Sequence, residues 1–269
     1  MQRRTFIQTF ALSSGCLLVN PKKIMALGDN KSIVKILMLY NNTGKSEASK
    51  PAWGLSVWIE HEAHAILFDV GGDPSVLEEN ISASGINMDK LNSVVISHKH
   101  WDHKNGLGLV LGKAGNMPDV YVVKDDLDAF RKDYSKAKLK SVDATQQIHP
   151  DIWVSGQLKA YDMYEQSLII TQDDALVLLT GCSHSGIVDM VKSVKQDFPG
   201  KSVELVAGGY HLGGHSKDEV LQISNSLKEL EVSRIAPSHC TGDIAIDIFR
   251  KEWGENFVSF NLGDEFLVS

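Results

Sequence analysis

The sequence predicts an α/β fold in which two sheets pack face to face with helices outside. Three observations carry this. Short strand-like runs rich in Val, Ile and Leu recur in both halves, as at 94–96 and 176–179. Helical spacing punctuates them, as in 186–196, where Ile187, Met190, Val191 and Val194 fall on one face. No repeat, linker or low-complexity segment divides the chain, and 269 residues with 43% hydrophobic content can bury a substantial core.

The elements follow in order. Residues 32–40 (SIVKILMLY) are the first expected strand. Residues 55–60 and 65–70 flank His61-Glu62-Ala63-His64 and read as a hairpin. A helix is expected at 74–84 and a strand at 93–97, and a glycine-rich helix starts around 105–111. A strand at 119–123 and a helix at 125–134 complete the first half. In the second half, 167–171 and 175–180 form a hairpin across Gln172-Asp173-Asp174. Then come the helix at 186–196, a buried strand at 203–207, an amphipathic helix at 217–230 and a short strand at 234–237. Residues 257–261 are expected to close a sheet.

The first 28 residues read as an address, leaving 29–269 as the folded domain. Arg3-Arg4 precedes Thr5-Phe6-Ile7 and a mildly apolar run over 6–19, with no acidic residue before Asp29. This resembles a twin-arginine export signal. Cys16 follows Leu12-Ser13-Ser14-Gly15, a weak match to a lipoprotein cleavage site. The expected location is therefore periplasmic, or membrane-anchored if Cys16 is lipidated. No later run of 18 or more apolar residues suggests a transmembrane helix. A net charge of −7 argues against a nucleic-acid partner. A small-molecule substrate is expected, and the oligomeric state stays open.

The strongest chemical signal is Ser97-His98-Lys99-His100-Trp101-Asp102-His103, directly after the apolar strand. Imidazole nitrogen and carboxylate oxygen are the donors that zinc, manganese and iron accept. Alternation lets His98 and His100 point to one side of an extended segment, and the turn presents Asp102 and His103 to a neighbouring point. Four potential ligands so close together suit two divalent ions, zinc or manganese. Further histidines follow later strands among glycines and small residues: His184, His211 and His239. His184 and His239 are candidate ligands. His211 is either a ligand or an acid/base group, and it joins Tyr210 and Asp102 as the candidate catalytic residues.

The His-x-His-x-Asp-His cluster, with Asp69 ending an earlier strand and His239 near the C-terminus, resembles the metallo-β-lactamase superfamily over about residues 32–269. The resemblance implies an αββα sandwich of two mixed sheets with outer helices, its metal site at one edge between the sheets. It implies His98 and His100 on one metal, Asp102 and His103 on the other, and His239 as the late ligand. Asp69 would be a buried aspartate supporting the cluster. Five segments are similar to one branch of that superfamily: Gly54-Leu55-Ser56, Glu165-Gln166-Ser167-Leu168, Gly181-Cys182-Ser183-His184-Ser185-Gly186, Gly208-Gly209-Tyr210-His211-Leu212 and His239-Cys240-Thr241-Gly242. That branch includes the archaeal enzyme of methanopterin synthesis that joins a dihydropterin to a ribofuranosyl-aminobenzene phosphate.

Two departures from the commoner superfamily pattern stand out. The usual middle histidine is missing before Leu168, where Tyr161 and Tyr164 lie, and Cys182 replaces the usual bridging aspartate. His184 is therefore expected to supply the missing nitrogen. Cys182 either bridges as a thiolate or packs. Packing is favoured, because a thiolate would narrow the metal choice towards zinc. The expected function is an exported two-metal hydrolase of an ester or phosphoester. The alternatives are a pterin-condensing transferase, against which the export signal argues, and a non-catalytic metal-site binding protein.

Overall fold

The computed structural model describes residues 33–44 and 49–268, together with the strand Ile24–Met25. Numbered in chain order, the first half holds β1 (Ile24–Met25), β2 (Val34–Tyr40), β3 (Ser56–His61), β4 (His64–Phe68), α1 (Pro74–Ser84), β5 (Leu91–Val95), α2 (Trp101–Lys104), α3 (Leu107–Lys113), β6 (Asp119–Val123), α4 (Leu127–Asp133) and β7 (Lys138–Val142). The second half holds β8 (Gln146–His149), β9 (Ile152–Val154), β10 (Leu158–Ala160), β11 (Met163–Glu165), β12 (Leu168–Gln172), β13 (Ala175–Thr180), α5 (Ile187–Asp197), β14 (Ser202–Gly209), α6 (Lys217–Glu229), β15 (Arg234–Ser238), α7 (Asp243–Trp253) and β16 (Glu265–Val268).

Two mixed sheets result. The first has the order β1-β16-β2-β3-β4-β5-β6-β7 and the second β15-β14-β13-β12-β9-β8. Within the first, β4, β5, β6 and β7 run parallel. Within the second, β13, β14 and β15 run parallel.

Alternation along the strands builds the layers. In β2, Val34, Ile36 and Met38 face the second sheet and join Val177, Leu179 and Leu205 in the central core. Leu37 and Leu39 face the other way, against Leu77 of α1, Val110 of α3 and Phe130 of α4. Both faces are dry, so the strand reads as a continuous apolar run. The second sheet repeats the arrangement: Leu176, Leu178 and Val206 meet Val191 of α5, Leu227 of α6 and Phe249 of α7. Each such side chain contributes about 1.5–3 kcal/mol on burial. The order of layers is helix, sheet, sheet, helix, the expected αββα sandwich.

Local chemistry sets the element ends. Asp73 caps α1 by accepting from the Ser75 and Val76 amides, Pro74 opens the first turn, and Gly85 ends it at φ 69°. Ser216 and Glu219 form a reciprocal capping box at the start of α6.

One expectation changes. Residues 257–261 do not form a strand. Phe257 makes only an isolated bridge to Ile235, and it is β16 that pairs with β2, antiparallel, in the first sheet. Strands β7 to β11 and helix α7 were not anticipated. The first of these are short and carry exposed polar residues, so they show little hydrophobic alternation. Arg3, Arg4 and Cys16 lie outside the described residues. Of the expected 1–28 leader, only Ile24–Met25 is described, paired in parallel with Leu267 and Val268. Among the described residues no helix is long and apolar enough to cross a membrane.

Candidate metal centre

The C-terminal ends of β4, β5, β13, β14 and β15 converge on one edge of the sandwich, and each is followed by a candidate residue. Asp69 follows β4, Ser97 and His98 follow β5, and His100 stands just before α2, which carries Asp102 and His103. Cys182 and His184 follow β13, His211 follows β14 and His239 follows β15. The chain turns sharply at these points. Asp69 (φ 59°), Ser183 (59°), His211 (51°) and His239 (51°) adopt left-handed backbone although none is glycine. Such strained residues persist only where their surroundings fix them, and they gather at functional sites.

Three histidines are tied at Nδ1, which leaves Nε2 to face the cluster. His103 Nδ1 donates to Asp69 Oδ2 at 2.6 Å. His98 Nδ1 lies 2.9 Å from Ser97 Oγ, which itself donates to Asp69 Oδ2 at 2.7 Å. His239 Nδ1 donates to Asn42 Oδ1 at 2.8 Å. Asp69 also accepts from the Ser97 amide at 2.6 Å, so one buried carboxylate orients two of the three rings. An outer partner that fixes ring tautomer and direction is the usual support of a metal-ligating histidine.

Among the described residues the inward atoms fall into overlapping groups, of which two contain no cysteine. His98, His100 and His184 place their donor nitrogens within 4.8 Å of one another, and so do the donor atoms of Asp102, His103 and His239. Between the groups, Cys182 Sγ lies 3.1 Å from His103 Nε2. A metal fits here on two grounds. The Nε2 atoms of His184 and His239 are buried without a hydrogen-bond partner, a costly state for a polar atom. Imidazole, carboxylate and thiol together are also a transition-metal donor set. His239 Nε2 and Asp102 Oδ2 stand 3.4 Å apart, and His103 Nε2 and Asp102 Oδ2 3.6 Å.

The electrostatics favour ligand-ready protonation states at His98, His100, His184 and Asp102, and oppose one at His103. Burial, then the surrounding histidines, hold His98 well below the ordinary histidine range. The same causes, burial first and then His211, push His184 down to about 3. Burial also lowers His100, against the pull of Asp102. Burial works against ionising Asp102, yet His239 and His103 hold its carboxyl well below the usual range. His103 runs the other way: burial opposes protonation, but the Asp69 carboxylate overrides it and raises the pKa.

Of the expected catalytic residues, His211 is exposed at the mouth of the site, its ring centroid 4.0 Å from that of His184. A hydrogen bond with Cys240 raises its pKa. Tyr210 is a correction. Its side chain is 1% exposed, its hydroxyl donates to the Val206 carbonyl at 2.8 Å, and its ring meets Phe249 edge-on in the core behind the sheet. Neighbouring residues of a strand end point to opposite faces, so Tyr210 and His211 cannot both reach the site.

Sequence reasoning missed four supporting residues. Asn42 and Ser97 orient His239 and His98. Buried Glu165 accepts the Ser185 amide at 2.5 Å and so anchors the loop that carries Cys182 and His184. Half-exposed Trp53 stands 5.1 Å from the His239 ring. Gly-x-Ser and Glu-Gln-Ser segments were visible, but nothing in a single sequence ties Asn42 to a residue 197 positions away.

Histidine, aspartate and cysteine donors gathered at the converging strand ends of an αββα sandwich define a metal-dependent class of protein. The chain belongs to the metallo-beta-lactamase superfamily, whose family model matches residues 54–239. It is 25% identical over 266 residues to the 7,8-dihydropterin-6-methyl-4-(beta-D-ribofuranosyl)-aminobenzene-5'-phosphate synthase of Methanocaldococcus jannaschii, covering 80% of this chain and 90% of that one. An uncharacterized protein of the same organism is 32% identical over 219 residues, covering 70% of this chain and 84% of the relative. A crystal structure of a metal-dependent hydrolase of the beta-lactamase superfamily matches with a TM-score of 0.73 and 25% identity, over 88% of this chain and 99% of that one.

Proposed function

We propose that this chain is a two-metal hydrolase of a small ester or phosphoester, with zinc or manganese as the working ions. One observation carries the reading: five strand ends bring two cysteine-free groups of donors to one edge, with the Nε2 atoms of His184 and His239 buried without a hydrogen bond. His98, His100 and His184 would hold one ion, and Asp102, His103 and His239 the other. When bound, such a pair supplies Lewis acidity towards a water and a substrate oxygen. The chain's own groups do the rest. Asp69 and Asn42 keep the Nε2 faces of His103 and His239 turned inward. His211, exposed beside His184 and biased towards imidazolium by Cys240, is placed to give a proton to a departing oxygen.

The test is turnover of a panel of phosphodiesters, phosphomonoesters, lactones and thioesters by metal-stripped and metal-restored protein. The expected result is activity on at least one class that disappears on chelation and returns with zinc or manganese. Turnover that survives full metal removal would contradict the reading.

A second reading is transfer chemistry, supported by the identity to the synthase over 80% of this chain. Formation of the product in that relative's name, from its pterin and aminobenzene precursors, would favour it over hydrolysis. Export belongs to the first reading. Its support is Arg3-Arg4 and the following apolar run, with no acidic residue before Asp29.

A further inference from the structure

We propose that Cys182 is a thiolate ligand standing between the two donor groups, and that it makes the centre select thiophilic ions such as zinc or cobalt over manganese. The inference rests on the metal-centre reading above and goes beyond it by assigning the residue that links the two groups.

The placement starts at Gly181. A Cβ there would meet Ser97 Oγ at 2.1 Å and Asp69 Oδ2 at 3.2 Å, so only glycine lets the end of β13 lie directly against the Ser97–Asp69 pair. That close approach brings the next side chain into the cluster. Cys182 Sγ comes to 3.1 Å from His103 Nε2, the nitrogen that Asp69 leaves free by holding Nδ1. The sulfur lies within 4.8 Å of the donor nitrogens of both His98 and His103, and equally of those of His184 and His211. It therefore shares neighbours with each of the two groups.

The surroundings are dry: Cys182 is 3% exposed, His98 1% and His103 0%. A buried cysteine that merely packs behaves as a small hydrophobe among hydrocarbon. Among the described residues, Cys182 belongs to none of the three apolar clusters, and imidazoles surround its sulfur instead. The proposal therefore takes the ligand alternative for Cys182 rather than the packing one. Cys240 is the rival thiol. Its sulfur shares a donor group with His239 and Cys182, hydrogen-bonds His211, and is directed at the Cys182 carbonyl at 3.7 Å. Unlike Cys182, it shares no donor group with His98 or His103. Metal binding releases the Cys182 proton to solvent and forms the sulfur–metal bond. A soft thiolate then favours zinc and cobalt over manganese.

The experiment is a cobalt(II) titration of the metal-stripped full chain in a non-thiol reductant, read by absorption. The expected spectrum has visible d–d bands and an intense near-ultraviolet thiolate-to-cobalt charge-transfer band. Cys182→Ser should keep the visible bands and lose the ultraviolet one, whereas Cys240→Ser keeps both. Cys182→Asp should bind cobalt without the ultraviolet band and narrow the preference for zinc over manganese in competition. Visible bands without the charge-transfer band in the unmutated protein overturn the proposal whatever the variants do. So does loss of that band in Cys240→Ser but not in Cys182→Ser. No cobalt uptake at all overturns the metal-centre reading as well, a result distinct from binding without sulfur.

Discussion

At Asp69 three donors meet one buried carboxylate: the Ser97 amide, the Ser97 hydroxyl and His103 Nδ1. Replacing it with asparagine puts an amide donor opposite one of those donors and leaves it unpaired. Asp69→Asn should cost about 2–4 kcal/mol in denaturant unfolding. It should also weaken metal binding roughly 10–100-fold in chelator competition, because the rings it orients are freed. His184→Ala removes a donor from the His98–His100 group. It should lower metal content and turnover together, measured by elemental analysis and by rate. Full occupancy in that variant would show that His184 is not a ligand. Tyr210→Phe tests the opposite case. It deletes one buried hydrogen bond far from the reacting edge, so stability should fall by about 1 kcal/mol with turnover and metal content unchanged.

At the scale of elements, the site depends on how closely β13 and β14 approach at their ends. Gly208 has φ 123°, and a Cβ on it would stand 2.1 Å from the Thr180 carbonyl oxygen. Both the backbone conformation and the space exclude a side chain. Gly208→Ala should therefore cost at least about 2 kcal/mol and displace His211 from His184, lowering turnover beyond the loss expected from stability alone. Comparing melting midpoint with rate at a temperature where both proteins are folded separates the two effects. The elements that build this edge were legible where their residues have one job. Helix α1 and strands β6 and β13 fall where the periodicity predicts them. Strands β7 to β11 were not legible, since β9 to β11 are only three residues each and β7 and β8 carry mostly polar side chains, too little for a period to show. The expected strand at 257–261 was misread because an apolar run alone does not say which sheet edge is free.

At the scale of the whole molecule, the buried histidines couple stability to pH. In the folded, metal-free chain His98 is held well below the ordinary range and His184 at about 3. The unfolded chain takes up protons below about 6.5 that these two refuse. Their stabilisation is thus present above that value and lost as the pH falls from there towards the folded values. His103, raised by Asp69, acts in reverse: its contribution is full below the unfolded value and fades as the pH rises through its folded one. Three site histidines, His98, His100 and His184, are lowered against two raised, His103 and His211, so the metal-free protein should melt progressively earlier from about pH 6.5 down to about pH 4. A flat melting temperature over that range would contradict neutral burial of the cluster. Loading the metal should raise the melting temperature near neutral pH, because ions bind only the folded arrangement. Export is tested on the same scale. Changing Arg3-Arg4 to Lys-Lys should leave the protein inside the cell and unprocessed, read by fractionation and N-terminal sequencing. Unmutated protein found only in the cytosol and still starting at Met1 would end the export proposal without touching the site.

The sequence by itself determined the kind of chemistry, because ligand-type residues crowded within six positions need no tertiary contact to be recognised. His98, His100, Asp102 and His103 stand in six residues after an apolar strand, and glycine-flanked His184 and His239 mark further strand ends. It also determined the layered fold, since strands apolar on both faces must be covered on both sides. Only the tertiary structure decided which side chains share a point in space. It grouped His184 with His98 and His100, and His239 with Asp102 and His103. It turned Tyr210 into the core and Cys182 into the cluster, and it recruited Asn42 to hold His239. The physical reason is that strand order and the pitch of each strand end, set by burial across two sheets, fix direction and distance. A single chain read in order carries neither.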